Sequence, residues 1–328
     1  MNYRTNKVVT SAPAKIILFG EHFVVYSNSA IVAAINKRIS VQAQVIDNSR
    51  INIKSGKKSL SVPVLSKAEL ITSNDNSSLF LHPIFKCVKH VLSEKDLLNV
   101  GINLDIDSQI PYGEGLGSSA ASCVSTVAAL YSLFSNRDRN KIYETARVME
   151  QNIHTNSSGI DCYVSTFGGI VNFEPIKGFR NIRSKKKFTF LVGTTGVKHS
   201  TGEVVSEVKQ FKQRNSSVFK DLSIKANAVC KRAMNSILDG NEMELGNMLT
   251  ENHKLLLRLG VSQPKIEKLI EDCLDNGALG AKLTGAGKGG AVIALMPNDR
   301  SMEISTKISR GSGKWMLVEF DYDGVVFG

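Results

Sequence analysis

The sequence predicts an α+β protein of two domains, and three observations carry that prediction. In the first half, strand-type and helix-type segments come in groups rather than in strict alternation, and a short strand at 169–173 follows the helices. The second half runs strand, long helical stretch, strand, strand, helix, strand, the order of a split βαβ unit of ferredoxin-like type. The change of style falls between residues 174 and 187 and divides the chain into 1–180 and 181–328. A length of 328 residues is ample for two cores, at roughly 150 residues per domain.

The elements follow in order. Residues 7–19, 39–46 and 51–53 show β-branched content or alternation and read as strands. Residues 78–91 carry an amphipathic helical pattern, and 101–107 alternate as GINLDID, a strand. A Pro- and Gly-rich loop at 111–117 leads into 118–134, an Ala/Ser/Val/Leu helix that is apolar on most faces and so belongs inside. A second helix is predicted over 141–154. Strand 188–192 opens the second half, and 203–276 is helical for most of its length, broken near Asn215, Asp239 and Gly260. Strands 279–283 and 291–296 flank a glycine turn, and a helix at 302–309 and a strand at 315–320 complete the pattern.

Composition removes several classes. Seven prolines and 26 glycines exclude collagen-like and low-complexity chains. The longest apolar runs, such as 30–35, fall far short of the ~18–20 residues of a membrane span. The first residues, MNYRTNKVVT, lack the apolar core and cleavage site of a signal peptide, so a cytoplasmic protein is expected. Five cysteines without a CxxC pair, and six histidines without HExxH, point to reduced structural thiols and away from zinc.

A net charge of +11 favours an anionic partner, either nucleic acid or a phosphorylated small molecule. The basic residues are scattered, and the one dense run, Arg183-Ser184-Lys185-Lys186-Lys187, reads as a solvated loop. There is no aromatic-plus-basic RNA motif and no basic helix stripe, so neither nucleic acid nor membrane is expected as a partner.

Three glycine-containing segments could carry chemistry. The first is Pro111-Tyr112-Gly113-Glu114-Gly115-Leu116-Gly117-Ser118-Ser119-Ala120-Ala121, between a strand and a helix. Gly115 and Gly117 let backbone approach a ligand, and the helix start offers unpaired N–H groups and a positive dipole end, which suit a phosphate. The two serine hydroxyls can cap the helix or ligate Mg²⁺. An N-cap and loop without a ligand is the competing reading. A dinucleotide site is rejected because no strand ending in an acid follows ~20 residues on, and a Walker A loop because GK followed by Ser or Thr is missing.

The second segment, Lys282-Leu283-Thr284-Gly285-Ala286-Gly287-Lys288-Gly289-Gly290, is either a plain hairpin or a glycine loop that packs against the first across the cleft. The third, Ser11-Ala12-Pro13-Ala14-Lys15 through Gly20-Glu21-His22 to Tyr26, sets a lone lysine in an apolar strand. Lys15 either snorkels to solvent or meets an anion in the cleft. Taken alone, His22 reads as a packing histidine, Glu150 as a solvated helix residue, and Asp161 equally as a helix N-cap or a catalytic acid.

Together these residues resemble the GHMP kinases, with PxxxGLGSSAA, the later glycine-rich loop and APAKIILFGEH similar to that superfamily's three motifs. Within it the pattern is most similar to the mevalonate kinases. GEHFVVY resembles their GEHAVV stretch, and Glu150 followed by Ile153-His154-Thr155-Asn156-Ser157-Ser158-Gly159-Ile160-Asp161 resembles their E…IHGNPSGVDN at the same spacing. Val164-Ser165-Thr166-Phe167-Gly168-Gly169 continues the match, and His199-Ser200-Thr201 stands where the family has Arg-Ser-Thr. The likeness spans residues 7–296. Ala14 in place of glycine and Lys288 within the glycine run leave the chemistry intact. Lys288 could add a phosphate contact, and His199 for arginine alters the contacts to a substrate carboxylate.

The resemblance implies an N-terminal ribosomal-protein-S5-domain-2-like domain, a C-terminal ferredoxin-like domain and an active site in the cleft. It implies ATP and Mg²⁺, with mevalonate phosphorylated on its C5 hydroxyl for isoprenoid synthesis. Other acceptors of the superfamily remain alternatives: phosphomevalonate, the 3-hydroxyl of mevalonate, homoserine or a sugar. By residue, it implies Asp161 as the base and Lys15 as its partner. ATP contacts fall to Pro111, Gly113, Gly115, Leu116, Gly117, Ser118, Ser119, Ala120, Gly285 and Gly287. Substrate contacts fall to Lys15, Glu21, His22, Asp161 and Thr201, and Mg²⁺ to Ser119 and Glu150. A homodimer is an option the sequence leaves open.

Overall fold

Two long apolar stretches lay down the centre of the first sheet. In the computed structural model, which describes residues 7–66, 76–134, 137–151, 158–197, 200–311 and 313–328, they form β1 (Lys7–Phe19) and β2 (Ala30–Ile46). These pair antiparallel with Thr10 opposite Val41 and Ile17 opposite Val32. The register shifts between Pro13 and Ala14. Proline cannot donate to a ladder, and a bulge there re-aims the following side chains, of which Lys15 is one. β2 is longer than predicted because its bent length feeds two partners on one edge.

Around this pair lie β3 (Arg50–Ser55), β4 (Lys58–Pro63), β5 (Gly101–Ser108), β6 (Ile170–Glu174) and β7 (Gly178–Ile182). With β12 (Val326–Phe327) at one edge, the order is β12-β1-β2-β5-β3-β4, with β6 on β2 and β7 on β6. Four helices cover this sheet: α1 (Asn76–Glu94), α2 (Ser118–Leu133), α3 (Arg139–Gln151) and α4 (Ile160–Phe167). Apolar all round, α2 packs between β1, β2, α1, α3 and α4, as its composition requires. Tyr131, fully buried on it, donates its hydroxyl to Glu94 Oε2 at 2.6 Å. Burial and that carboxylate push its phenol up to about 12.

The second sheet holds β8 (Thr189–Thr194), β9 (Gly280–Thr284), β10 (Ala291–Met296) and β11 (Lys314–Glu319) in the order β11-β8-β10-β9, all antiparallel. That is the ferredoxin-like order, with α5 (Thr201–Arg214), α6 (Ser216–Asp239), α7 (Glu242–Arg258) and α8 (Pro264–Asp275) as the long helical insert and α9 (Ser301–Ile308) as the second crossover. The breaks expected near Asn215, Asp239 and Gly260 are the ends of α5, α6 and α7.

The break between the sheets lies between Ile182 and Thr189, within the exposed lysine run. Against the division at 180/181, the last residues do not stay with the second sheet: β12 (Val326–Phe327) returns to pair with β1. Two residues carry no periodicity, so this strand exists only through its partner. One apolar core spans both halves, including Ile16, Val127, Val192 and Leu249. All five cysteines are free and buried. No helix among the described residues is long and apolar enough to cross a membrane.

Candidate active site

The bulge in β1 aims Lys15 under the start of α2. Its backbone N–H donates to Leu116 O at 3.0 Å, which ties the strand to the glycine loop. Gly117 precedes α2 at φ 75, and a Cβ there would stand 2.7 Å from Lys15 Cγ. Only glycine allows the lysine stem to run along the loop. The first N–H groups of α2, on Ser118, Ser119 and Ala120, precede the first intrahelical bond, in which Ala121 N reaches Gly117 O at 3.0 Å. Pro111 and Gly113 lie at the outer end of the loop.

At the end of its stem, Lys15 Nζ meets Asp161 Oδ2 at 3.1 Å, with side chains 7% and 26% exposed. A lysine inside an apolar strand thus has its anion, and snorkelling is excluded. Asp161 is not an N-cap. That position belongs to Gly159, in the left-handed conformation, and Asp161 sits in the first turn of α4, where the helix dipole favours its charge. Bonds that hold α4 in place include Ser165 Oγ donating to Pro13 O at 2.9 Å and Cys162 Sγ to Glu150 Oε2 at 3.2 Å. At eight residues, α4 is too short for its period to be read from sequence.

Glu150 is buried rather than solvated. Burial and its carboxylate push the Cys162 thiol up. On α2, Cys123 is pushed up by its hydrogen bond with Cys87, by burial and by charges that include Glu150. Cys123 lies one turn beyond Ser119 on α2. A buried carboxylate and a hydroxyl are hard oxygen donors, a set that fits Mg²⁺ with waters completing its shell.

The second glycine segment does pack against the first. A Cβ on Gly285 would lie 3.7 Å from Gly115 O. At Gly287 a Cβ would come within 2.2 Å of Val261 O, so this turn is shaped for glycine alone. The ammonium of Lys288 pairs with Glu207 on α5.

His22 sits at φ 60, a strained backbone for a non-glycine residue and one found preferentially at functional sites. Its ring Nε2 lies 2.7 Å from Ala286 O in the second glycine loop. Burial holds its pKa below the ordinary value, so the ring is neutral and its single N–H goes to that carbonyl. Thr201 opens α5 and is exposed, and the structure gives it no contact with the Lys15–Asp161 pair. His199 and residues 153–157 fall outside the described residues.

Glu21, which the resemblance assigns to the substrate, is fully buried. It pairs with Lys282 of β9, and both side chains are 0% exposed. In the sequence, Lys282 stands only as the first letter of a glycine motif. The signal that could have found it is the one that marks Lys15, a lysine inside an apolar strand.

Burial has a consequence for stability. His22 is held below the imidazole value of 6.5 by burial, and His253 by burial against the opposing pull of Glu267. Below that value the unfolded chain binds protons that the folded chain refuses, so this stability is present above it and lost as pH falls toward the folded values. The melting temperature should drop between pH 7.5 and 5.5, and His22→Asn should flatten the slope. An unchanged slope in the variant rules out the contribution.

Comparisons with known proteins fit this geometry. The family model for the N-terminal domain of GHMP kinases matches residues 82–169, and that for their C-terminal domain matches 233–310. The chain is 37% identical over 331 residues to a mevalonate kinase of Pyrococcus furiosus, covering 97% of this chain and 98% of that one. It is 34% identical over 295 residues to a mevalonate kinase of Archaeoglobus fulgidus, covering 89% and 94%. The crystal structure of the Methanococcus jannaschii mevalonate kinase matches with a TM-score of 0.85 at 26% identity, covering 97% and 99%.

Proposed function

The chain belongs to the GHMP kinases, in their mevalonate kinase branch, and from that premise we propose that it transfers the γ-phosphoryl group of ATP to the C5 hydroxyl of (R)-mevalonate. The product is 5-phosphomevalonate, an intermediate of isoprenoid synthesis. The observation that carries the reading is the Lys15–Asp161 pair, 3.1 Å apart and set against the glycine loop at the head of α2.

Phosphoryl transfer needs positioning and charge stabilisation more than covalent help. Asp161, partly open to the cleft, accepts the proton of the C5 hydroxyl. Lys15, touching Asp161 and running along Gly117, holds positive charge beside the oxygen as it attacks. The O5–P bond forms, the bond between the γ-phosphorus and its bridging oxygen breaks, and ADP leaves. Charge on the phosphoryl oxygens is met by the N–H groups of Ser118, Ser119 and Ala120. His22 and Thr201 are assigned to the acceptor end. Glu150 and Ser119 are the residues that would hold Mg²⁺, which when bound supplies positive charge to the β- and γ-phosphates.

A coupled ADP-release assay over mevalonate, phosphomevalonate, homoserine and galactose tests the reading, with phosphate located on the product by NMR. Turnover is expected with mevalonate and at C5. No turnover with mevalonate sinks it. Glu150→Gln should raise the Mg²⁺ concentration for half-maximal rate by about tenfold or more, the scale for losing a supporting group at a metal site. An unchanged Mg²⁺ requirement removes Glu150 from that role.

A further inference from the structure

Among the described residues, a fully buried ion pair joins the two halves of the chain beside the turn that carries His22. Lys282 comes from β9 and Glu21 from the turn after β1, and neither side chain reaches solvent. Lys282 Nζ also donates to Leu283 O at 2.6 Å and lies 3.5 Å from Ile17 O. Two residues on, Thr284 Oγ1 donates to Ile17 O at 3.0 Å and accepts from Ile17 N at 2.9 Å. From α7, Asn252 Nδ2 donates to Glu21 Oε2 at 3.4 Å. Donors from the second half of the chain therefore occupy both oxygens of Glu21 and clasp the strand two residues beyond Lys15. The residue after Glu21 is His22, whose ring holds Ala286 O.

Stability alone does not account for such a pair. Two charges lose their hydration on burial, and an apolar replacement for both is often neutral or favourable, whereas removing one partner strands the other. The pair adjoins two candidate site residues: Lys282 reaches Ile17, two residues beyond Lys15, and Glu21 precedes His22.

We propose that Lys282 is a positioning residue for the acceptor end of the site. Its ammonium takes up the Glu21 carboxylate, and that contact, not one between Glu21 and the substrate, sets the turn bearing His22 against the strand bearing Lys15. This rests on the phosphotransferase reading above and departs from the substrate contact that the resemblance implies for Glu21.

The test compares wild type, Glu21→Gln, Lys282→Met and the double variant in steady-state kinetics with mevalonate and ATP. Each single variant should raise KM for mevalonate by about tenfold or more, with KM for ATP within about twofold. The double variant has no stranded charge and should recover most of that loss. If the double variant is as impaired toward mevalonate as Glu21→Gln, Glu21 touches the substrate itself and the proposal fails. If all three keep the wild-type KM for mevalonate and only melt earlier, the pair is structural and the proposal also fails.

Should Lys282→Met not fold, Glu21→Gln against the double variant makes the same distinction, because glutamine keeps the shape of glutamate. A wild-type enzyme without mevalonate turnover overturns the function and this proposal together, and shows itself before any substitution is made.

Discussion

Asp161→Asn is expected to lower kcat by about 10²–10⁴, the range for loss of a positioned general base, with ATP affinity kept within about twofold. Asparagine preserves the size and planarity of the side chain in the first turn of α4, and it can still accept a hydrogen bond from Lys15. What it cannot do is take the proton of an alcohol. The proposed nucleotide cradle lies on α2 and the two glycine loops, which Asp161 does not build, so nucleotide binding should survive. Steady-state kcat, with nucleotide binding measured by calorimetry, separates the two. If kcat stays near wild type while the protein only melts earlier, Asp161 is a structural partner of Lys15 and another group is the base.

Gly117→Ala is expected to reduce kcat/KM by about a hundredfold, the scale of an ångström misplacement of a catalytic group. Two separate costs meet there. The position has φ 75, where an L-residue is strained by about 1–2 kcal/mol. The new methyl would also stand 2.7 Å from Lys15 Cγ and 3.2 Å from Cε, so the lysine stem must move and carry its ammonium with it. Gly178→Ala separates the two costs. It has φ 78 with nothing within 4 Å of the added Cβ, in a hairpin of the first sheet. That variant should lose similar stability without losing rate. Equal kinetic losses in both would mean that the Lys15 contact does not matter.

Much of the fold was legible because its elements carry their own signals. The alternation of 7–19 gave β1, and the uniformly apolar 118–134 gave a helix that could only be buried. Breaks near Asn215, Asp239 and Gly260 were readable from turn chemistry, and they separate the helices of the second half. Lys15 stood out because a charge in an apolar strand needs a reason, and its neighbour Asp161 supplies one. What escaped was short or borrowed. The eight residues of α4 are too few for a period, and β12 has two residues and no pattern of its own. The pairing of Lys288 with Glu207 on α5 likewise joins residues far apart in the sequence.

The sequence by itself determined the element order, the glycine loops and the residue types able to hold a phosphate and move a proton. These rest on local rules: periodicity, the conformational freedom of glycine and the unpaired N–H groups of a helix start. The tertiary structure alone decided that the glycine loops touch, that Glu21 pairs with Lys282, and that the chain's last strand closes the first sheet. Glu21 and Lys282 lie 261 positions apart. A buried charge takes whichever partner the packing brings within reach, and no spacing along the chain records that choice.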